Sequence, residues 1–359
     1  MLENDSKEIS VIITAHDRKK YLYGAINSVI NQTLDRSNYE IIVIKNFMDE
    51  EIDQLIKKEG ILSIKTDDNS KIGEDIYLGI SNSRSDIICF LDDDDLFKSN
   101  KLEIVLRTFT ENPKFSLYIN ARSYVRENLS EINPDDYGYD YDREFTIDNH
   151  DSSKLLLLPI VVNMSSICIK RKVLTDFLSS LKNINFSPDD FMLYATLCNQ
   201  GNVYRDNKRL TLYRVHESSS QAKATENFEQ FLINKRKILE LHLRTYEYFE
   251  SIFNGCKSQL VGDAITFFIT DVKINLLLLS SNCEISFEAD EIFQYYRLLI
   301  HSLIYLMKTH SSRKKILKFF LWYQTKFIIV ILATFLKLRI LKDYWNKREF
   351  EIKSGLHSS

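Results

Sequence analysis

Four consecutive aspartates, Asp92 to Asp95, end an apolar run in the stretch ICFLDDDDLFKSNKL. Carboxylates this close repel one another by about 1 kcal/mol per pair even in a water-like dielectric. In an extended backbone side chains alternate, so Asp92 and Asp94 share one face and Asp93 and Asp95 take the other. Two carboxylates on one face suit a hard divalent cation, which takes oxygen ligands and completes its shell with water and substrate phosphate. The plainer alternative is a solvated acidic turn. Carboxylates are favoured near the N-terminus of a following helix, and Asn100 with Glu103 makes a cap-like pair there. On these residues alone both readings stay open. A second acidic pair, Asp189 and Asp190 in SPDDFMLYATLC, follows Ser187 and Pro188, which are ordinary helix-start residues. Arg214 and His216 lie in YRVHESSS, after a strand-like RLTLY. An arginine offers phosphate a planar donor. An isolated histidine is more often a surface or core residue than a ligand.

The elements that must position these residues show as two alternating periods over the first 120 residues. ISVIIT (Ile9 to Thr14) is a nearly continuous apolar run, and in YLYGAINSVINQ the residues Leu22, Ala25, Ile26, Val29 and Ile30 recur at helical spacing. The alternation repeats with YEIIVIK before a charged helix near Asp49 to Glu59, and with LSIK before a helix near Ile72 to Ser83. DIICFL then precedes a helix opening at Asn100, and FSLYIN (Phe115 to Asn120) follows. Buried strands alternating with helices imply an α/β fold of βαβ units, a mostly parallel sheet with helices on both faces. In such sheets ligands bind at the carboxyl ends of the strands. The four aspartates sit at the end of the fourth.

Composition narrows the partners. The chain has 359 residues, 44% of them hydrophobic, enough for one large core or two smaller ones. A net charge of -3 provides no global basic field, so nucleic acid is not an expected partner. The five cysteines are odd in number and far apart, with no C-x-x-C pair, and suggest neither a disulfide framework nor a zinc site. MLENDSKEIS is polar and acidic, without the regions of a signal peptide, which points to a cytoplasmic protein.

From about Glu226 the texture becomes helical. FEQFLINKRKILELHLRTYEYFESIF has sustained helical spacing, and further helices are expected near Ser258 to Ser280 and Ala289 to Lys308. Residues 313–348 join aromatic and aliphatic side chains to basic ones, and their longest uncharged part runs only from Phe327 to Leu336. Ten helical residues cover about 15 Å of a hydrocarbon core about 30 Å thick. A helix lying in an anionic, cytoplasmic membrane surface fits better than a span, and burial in a helical bundle is the alternative. The expected domains are 1–222, with a nucleotide half at about 1–120 and an acceptor half at about 121–222, and a helical region 223–359.

In its order of elements the chain resembles the inverting nucleotide-sugar glycosyltransferases of family 2, with their Rossmann-like GT-A fold. SVIITAHDRKKYLYGAINSVINQTLDRSNYEIIVI is similar to that family's opening strand, loop, helix and second strand. KIGEDIYLGISNSRSDIICFLDDDDLF resembles its helix and D-x-D-D element, and NMSSICIKRKVL its acceptor-side strand. SPDDFMLYATLCNQG resembles its acidic-pair helix, and LTLYRVHESSSQ its Y-R-x-H-x-x-S-x-S stretch. The match covers about the first 220 residues and is specific for the superfamily, not for a sugar.

The resemblance implies roles. A divalent cation, Mn²⁺ or Mg²⁺, would be held by Asp94, with Asp92 near the ribose or a metal-bound water, Asp93 beside the donor, and His216 approaching the metal. Asp190, at the second position of the acidic pair, would be the general base, with Asp189 as its neighbour or helix cap. Thr14, Ala15, His16 and Arg18 would line the nucleotide, and Arg214 would neutralise phosphate. The partners implied are a nucleotide-sugar donor and a glycan or lipid-linked saccharide acceptor. Some positions depart from the family. Thr14, His16 and Asp17 replace its usual Pro, Tyr and Asn, and KNFMD stands where D-D-G-S is common. Asn46 there offers amide hydrogen bonds and Lys45 a charge for phosphate. The family's Asn is absent near Tyr77 and Leu78, while Lys71 remains a candidate for the donor. These departures keep alive a scaffold that has the fold without the activity. An aspartate-nucleophile phosphatase fits less well, because its motif belongs on the first strand.

Overall fold

The computed structural model describes residues 7–133, 144–148, 163–216, 227–279, 291–300 and 339–353, with positions 321, 325, 326, 328 and 329. The chain forms two compact units, Met1–Asn149 with Pro159–His216, and His150–Leu158 with Glu217–Ser359.

In the first unit the apolar runs become parallel strands: β1 (Ile9–Ala15), β2 (Tyr39–Lys45), β3 (Leu62–Lys65) and β4 (Ile87–Asp92), side by side in the order β3-β2-β1-β4. They are joined by α1 (Lys19–Ile30), α2 (Glu50–Lys58) and α3 (Ile72–Asn82). The chain continues through β5 (Leu96–Phe97), α4 (Lys101–Glu111), β6 (Phe115–Val125), β7 (Phe145–Ile147), β8 (Ile167–Lys170), α5 (Pro188–Cys198) and β9 (Asn202–Arg214). β8 lies antiparallel between β4 and β6, and β9 runs parallel to β6 but antiparallel to β5 and β7. The sheet is therefore parallel from β3 to β4, as the alternating periods predict, and beyond β4 the nine-stranded sheet is mixed.

Period two on the strands decides which helix each face receives. Ile9, Val11 and Ile13 of β1 are buried with Val43, Cys89 and Leu91 against Leu22, Ile26 and Val29 of α1, Ile52 and Ile56 of α2, and Leu102 and Val105 of α4. Each such side chain, fully buried, contributes about 1.5–3 kcal/mol. The opposite face receives α3. A Cβ on Gly79 would come within 2.5 Å of the Ile12 side chain, so this close approach depends on glycine.

β6 runs past the predicted end at Asn120 because ARSYV is still buried. Arg122 tolerates this by stacking its guanidinium on the Tyr124 and Tyr213 rings, 4.8 and 4.7 Å from their centroids. Cys89 and Cys168 face one another across β4 and β8 as free, buried thiols. Cys198, at the end of α5, is disulfide-bonded. The cysteine spacing did not suggest that bond, because distance along the chain does not report distance in the fold.

The second unit contains α6 (Phe228–Phe253), α7 (Gln259–Leu279) and α8 (Arg339–Lys353), with a helical stretch at 291–300. Tyr246 of α6 stacks on Phe268 of α7 at 5.5 Å, and Phe267 on Tyr295 at 4.6 Å. Lys235 pairs with Glu349 at 2.6 Å. Cys256 is disulfide-bonded. Most of the basic, aromatic stretch 313–338 lies outside the described residues. Its Lys326 is buried and pairs with Asp271 at 2.8 Å, inside this unit. No described helix is long and apolar enough to cross a membrane.

Candidate functional site

Because β1, β2 and β4 are parallel, their carboxyl ends share one edge of the sheet. Thr14 is the ladder partner of Asp92, and Ala15 that of Lys45. The loop after β1 therefore meets the aspartate run directly. β4 ends at Asp92, and the chain turns with the Asp95 N–H donating to the Asp92 carbonyl at 3.2 Å before β5 pairs with β9. The alternation read from the sequence survives the turn. Asp92 and Asp94 are partly exposed, whereas Asp93 and Asp95 are 1% and 0% exposed.

Each carboxylate has its own environment. Asp94 Oδ2 accepts from Arg18 Nη1 at 2.6 Å and lies 3.0 Å from His216 Nε2. The Asp94 carbonyl accepts from Arg214 Nε at 2.8 Å. Asp93 Oδ1 accepts from Arg18 Nη2 at 2.7 Å, while its buried Oδ2 has no hydrogen-bond partner. Asp95 accepts from Asn163 Nδ2 at 2.7 Å and from the Arg214 N–H at 3.0 Å, so it ties the segment before β8 to the end of β9. The Asp92 N–H donates to Ser165 Oγ at 3.0 Å. Burial pushes the Asp92 carboxyl up to about 7; the charges of Asp94 and Asp189 add to this, and Arg18 and Ser165 oppose it.

The second acidic pair opens α5. α5 starts from Ser187, whose φ of 53° is left-handed, with Pro188 as its first residue. This puts Asp189 and Asp190 in the first turn. Burial raises Asp189 to about 6, against the backbone N–H groups of Asp189 and Asp190 and the charge of Arg122. The charge of Asp189 is the smallest of the influences that raise Asp92.

Supporting residues that sequence reasoning missed complete the frame. Tyr21 of α1 donates to Glu127 Oε1 at 2.9 Å, and its ring lies 4.6 Å from the Arg214 guanidinium and 5.2 Å from the His216 ring. Lys101 is fully buried under the run. Its ammonium donates to the Ser165 carbonyl at 2.6 Å and to Thr211 Oγ1 at 3.2 Å, and sits 3.7 Å from the Phe97 ring centroid. Nothing in SNKLEIVL marks this lysine as interior, since lysine at a helix start usually stays in water.

Other predicted positions lie around rather than within the cluster. His16 is exposed beside Asp17, at 3.4 Å. Asn46 is buried: its amide oxygen accepts the Asp17 N–H at 2.9 Å and its nitrogen donates to Asp17 Oδ1 at 2.8 Å. It thus clamps Asp17 in a left-handed conformation, φ 57°. Lys45 does not reach for phosphate as the sequence suggested, because it is buried in a 2.9 Å pair with Asp53. Lys71 stands at the N-cap of α3, and among the described residues no side-chain bond joins it to the aspartates.

The donor set suits a hard cation. Asp94 and His216 meet at 3.0 Å with Asp92 alongside, and Mg²⁺-type sites commonly use one or two carboxylates with water and phosphate. Among the described residues no group of three or more acidic, His or Cys side chains forms a metal cluster by itself.

The run also costs stability. Burial pushes Asp93 up to about 8, despite Arg18. A carboxyl raised on folding contributes stability at low pH that is lost as pH rises from its unfolded value through its folded one. Asparagine does not titrate. Asp93→Asn should therefore gain stability relative to the wild type between pH 5 and pH 8, by about 1 kcal/mol or more. Thermal melts at the two pH values test this, and a constant difference would show that Asp93 does not titrate in that window.

A parallel half-sheet that ends in an aspartate run and continues into a mixed sheet belongs to the GT-A class of fold. Residues 10–174 match the family model described as Glycosyl transferase family 2. An uncharacterized glycosyltransferase of Rickettsia bellii is 39% identical over 108 residues, 29% of this chain and 15% of that protein. The poly(ribitol-phosphate) beta-N-acetylglucosaminyltransferase TarP of Staphylococcus aureus is 29% identical over 113 residues, 30% of this chain and 34% of TarP. The crystal structure of S. aureus TarS 1-349 in complex with UDP-GlcNAc superposes with a TM-score of 0.50 at 13% identity, covering 85% of this chain and 93% of that one. The chain thus spans about a sixth of the Rickettsia relative and a third of TarP.

Proposed function

We propose that the chain is an inverting glycosyltransferase that moves a sugar from a nucleoside diphosphate to a glycan or lipid-linked saccharide. The observation that carries this reading is the aspartate run at the carboxyl edge of the parallel strands, where Asp94 Oδ2 gathers Arg18 at 2.6 Å and His216 at 3.0 Å. The run serves the leaving group and the acidic first turn of α5 the incoming hydroxyl.

Asp94 and Asp92, with His216, would hold Mn²⁺ or Mg²⁺. A cation there stabilises the charge that develops on the departing diphosphate. The acceptor hydroxyl oxygen bonds to the anomeric carbon from the face opposite the diphosphate, the carbon–oxygen bond to diphosphate breaks, and configuration inverts. Asp190 takes the hydroxyl proton, a role worth about 10²- to 10⁴-fold in rate. Arg18 and Arg214 offer planar donors to phosphate. Thr14 and Ala15, at the end of β1, and the loop clamped by Asn46 border the nucleotide. The UDP-GlcNAc bound to TarS makes uridine donors the first to try.

The test is release of nucleoside diphosphate from a panel of UDP-, GDP- and dTDP-sugars, with Mn²⁺ or with EDTA, with and without saccharide acceptors. Metal-dependent release from one donor, stimulated by an acceptor, is expected. A folded protein that consumes no donor would favour a scaffold that has lost the activity.

A further inference from the structure

We infer that Arg18 sets the cation affinity of this site by competing for Asp94, a proposal that rests on the metal-binding role given to Asp94 above. Arg18 holds two carboxylates of the run at once, donating from Nη1 to Asp94 Oδ2 at 2.6 Å and from Nη2 to Asp93 Oδ1 at 2.7 Å. His216 Nε2 approaches the same Asp94 oxygen at 3.0 Å. A divalent cation ligated by that oxygen must displace the guanidinium or share one carboxylate with it. Two positive groups on one carboxylate repel, so each weakens the other's hold.

The guanidinium is free to be displaced. Its side chain is 39% exposed, and Arg18 occupies the N-cap position of α1 with an extended backbone (φ -114°, ψ 98°) and no capping bond. The residue before it is fixed, because Asn46 clamps Asp17 from both ends of its amide. An Arg18 side chain that leaves Asp94 therefore remains at the carboxyl edge of β1 and β4, where its planar fork suits a diphosphate. The diphosphate takes the guanidinium as the cation takes the carboxylate. Cation and nucleotide consequently bind better together than separately, and the coupling is reciprocal.

The test is calorimetric titration of Mn²⁺ alone, and of Mn²⁺ with saturating UDP, into the wild type, Arg18→Gln, Arg18→Lys and Asp94→Ala. Arg18→Gln is expected to bind Mn²⁺ alone at least about tenfold more tightly than the wild type, with a smaller further gain from UDP. Arg18→Lys keeps the charge and should stay near the wild type. A gain of equal size in both Arg18 variants would mean a loosened loop rather than a removed charge, and would overturn the proposal. So would unchanged or weaker Mn²⁺ binding by Arg18→Gln, while Mn²⁺ binding lost in Asp94→Ala would leave the metal role of Asp94 standing. Mn²⁺ binding that is unchanged in every variant would overturn both.

Discussion

Replacing Asp190 by asparagine should leave donor affinity within about threefold of the wild type and slow sugar transfer at least about a hundredfold, a rise of about 2.7 kcal/mol in the barrier. The substitution keeps the size of the side chain and removes its charge and with it the ability to accept a proton. The geometry of α5 separates its two acids. Asp189 is engaged by the backbone N–H groups that open the helix and by the charge of Arg122, as a capping carboxylate would be. Asp190 follows it in the same first turn, and the charges of both acids add to the burial that raises the Tyr194 hydroxyl. Single-turnover transfer measured beside donor binding separates the chemical step from affinity. A larger rate loss in Asp189→Asn than in Asp190→Asn would move the base to Asp189.

Asp94→Ala should reduce donor affinity in Mn²⁺ at least about a hundredfold, a loss of about 2.7 kcal/mol. One oxygen of this side chain gathers Arg18 and His216, and in the proposed site it also holds the cation. The change is expected to spare the fold. Asp94 is partly exposed, and its carbonyl, which anchors Arg214, remains. Arg214 also keeps its bond to the Glu127 carbonyl at 2.9 Å. Equilibrium binding of the best donor to both proteins measures the effect, and unchanged affinity would remove Asp94 from the donor site.

What could be read ahead of the structure follows from how local each cause is. Period two foretold that Asp92 and Asp94 would share one face and Asp93 and Asp95 the other, because alternation needs only neighbouring residues, whereas which pair is buried had to come from the fold. Apolar runs alternating with helical spacing likewise foretold β1 to β4 and their helices. Contacts between distant residues were not legible. Arg18 lies 75 residues before Asp93, and no local pattern announces that one guanidinium spans two members of the run. The burial of Lys101 and of Arg122 also went unread, since both are charged residues that are interior only through partners supplied by other strands and rings. Asn46 shows the converse case. Its amide was read as facing the nucleotide, and the structure turns it to the neighbouring loop, where it determines the backbone of Asp17.

The resemblance carried the acidic pair of α5, which spacing alone left as a helix start. The structure places that pair in the first turn of α5, as the helix-start spacing also predicts.

The central claim is that the β4 aspartates hold a cation that holds a sugar nucleotide's diphosphate. Its most direct test is calorimetric titration of nucleoside diphosphates and their sugars into the wild-type protein, in Mn²⁺ and in EDTA. The account predicts that at least one nucleotide binds in Mn²⁺ and loses most of its affinity in EDTA. Binding of equal strength in both, or none by the folded protein, would contradict it.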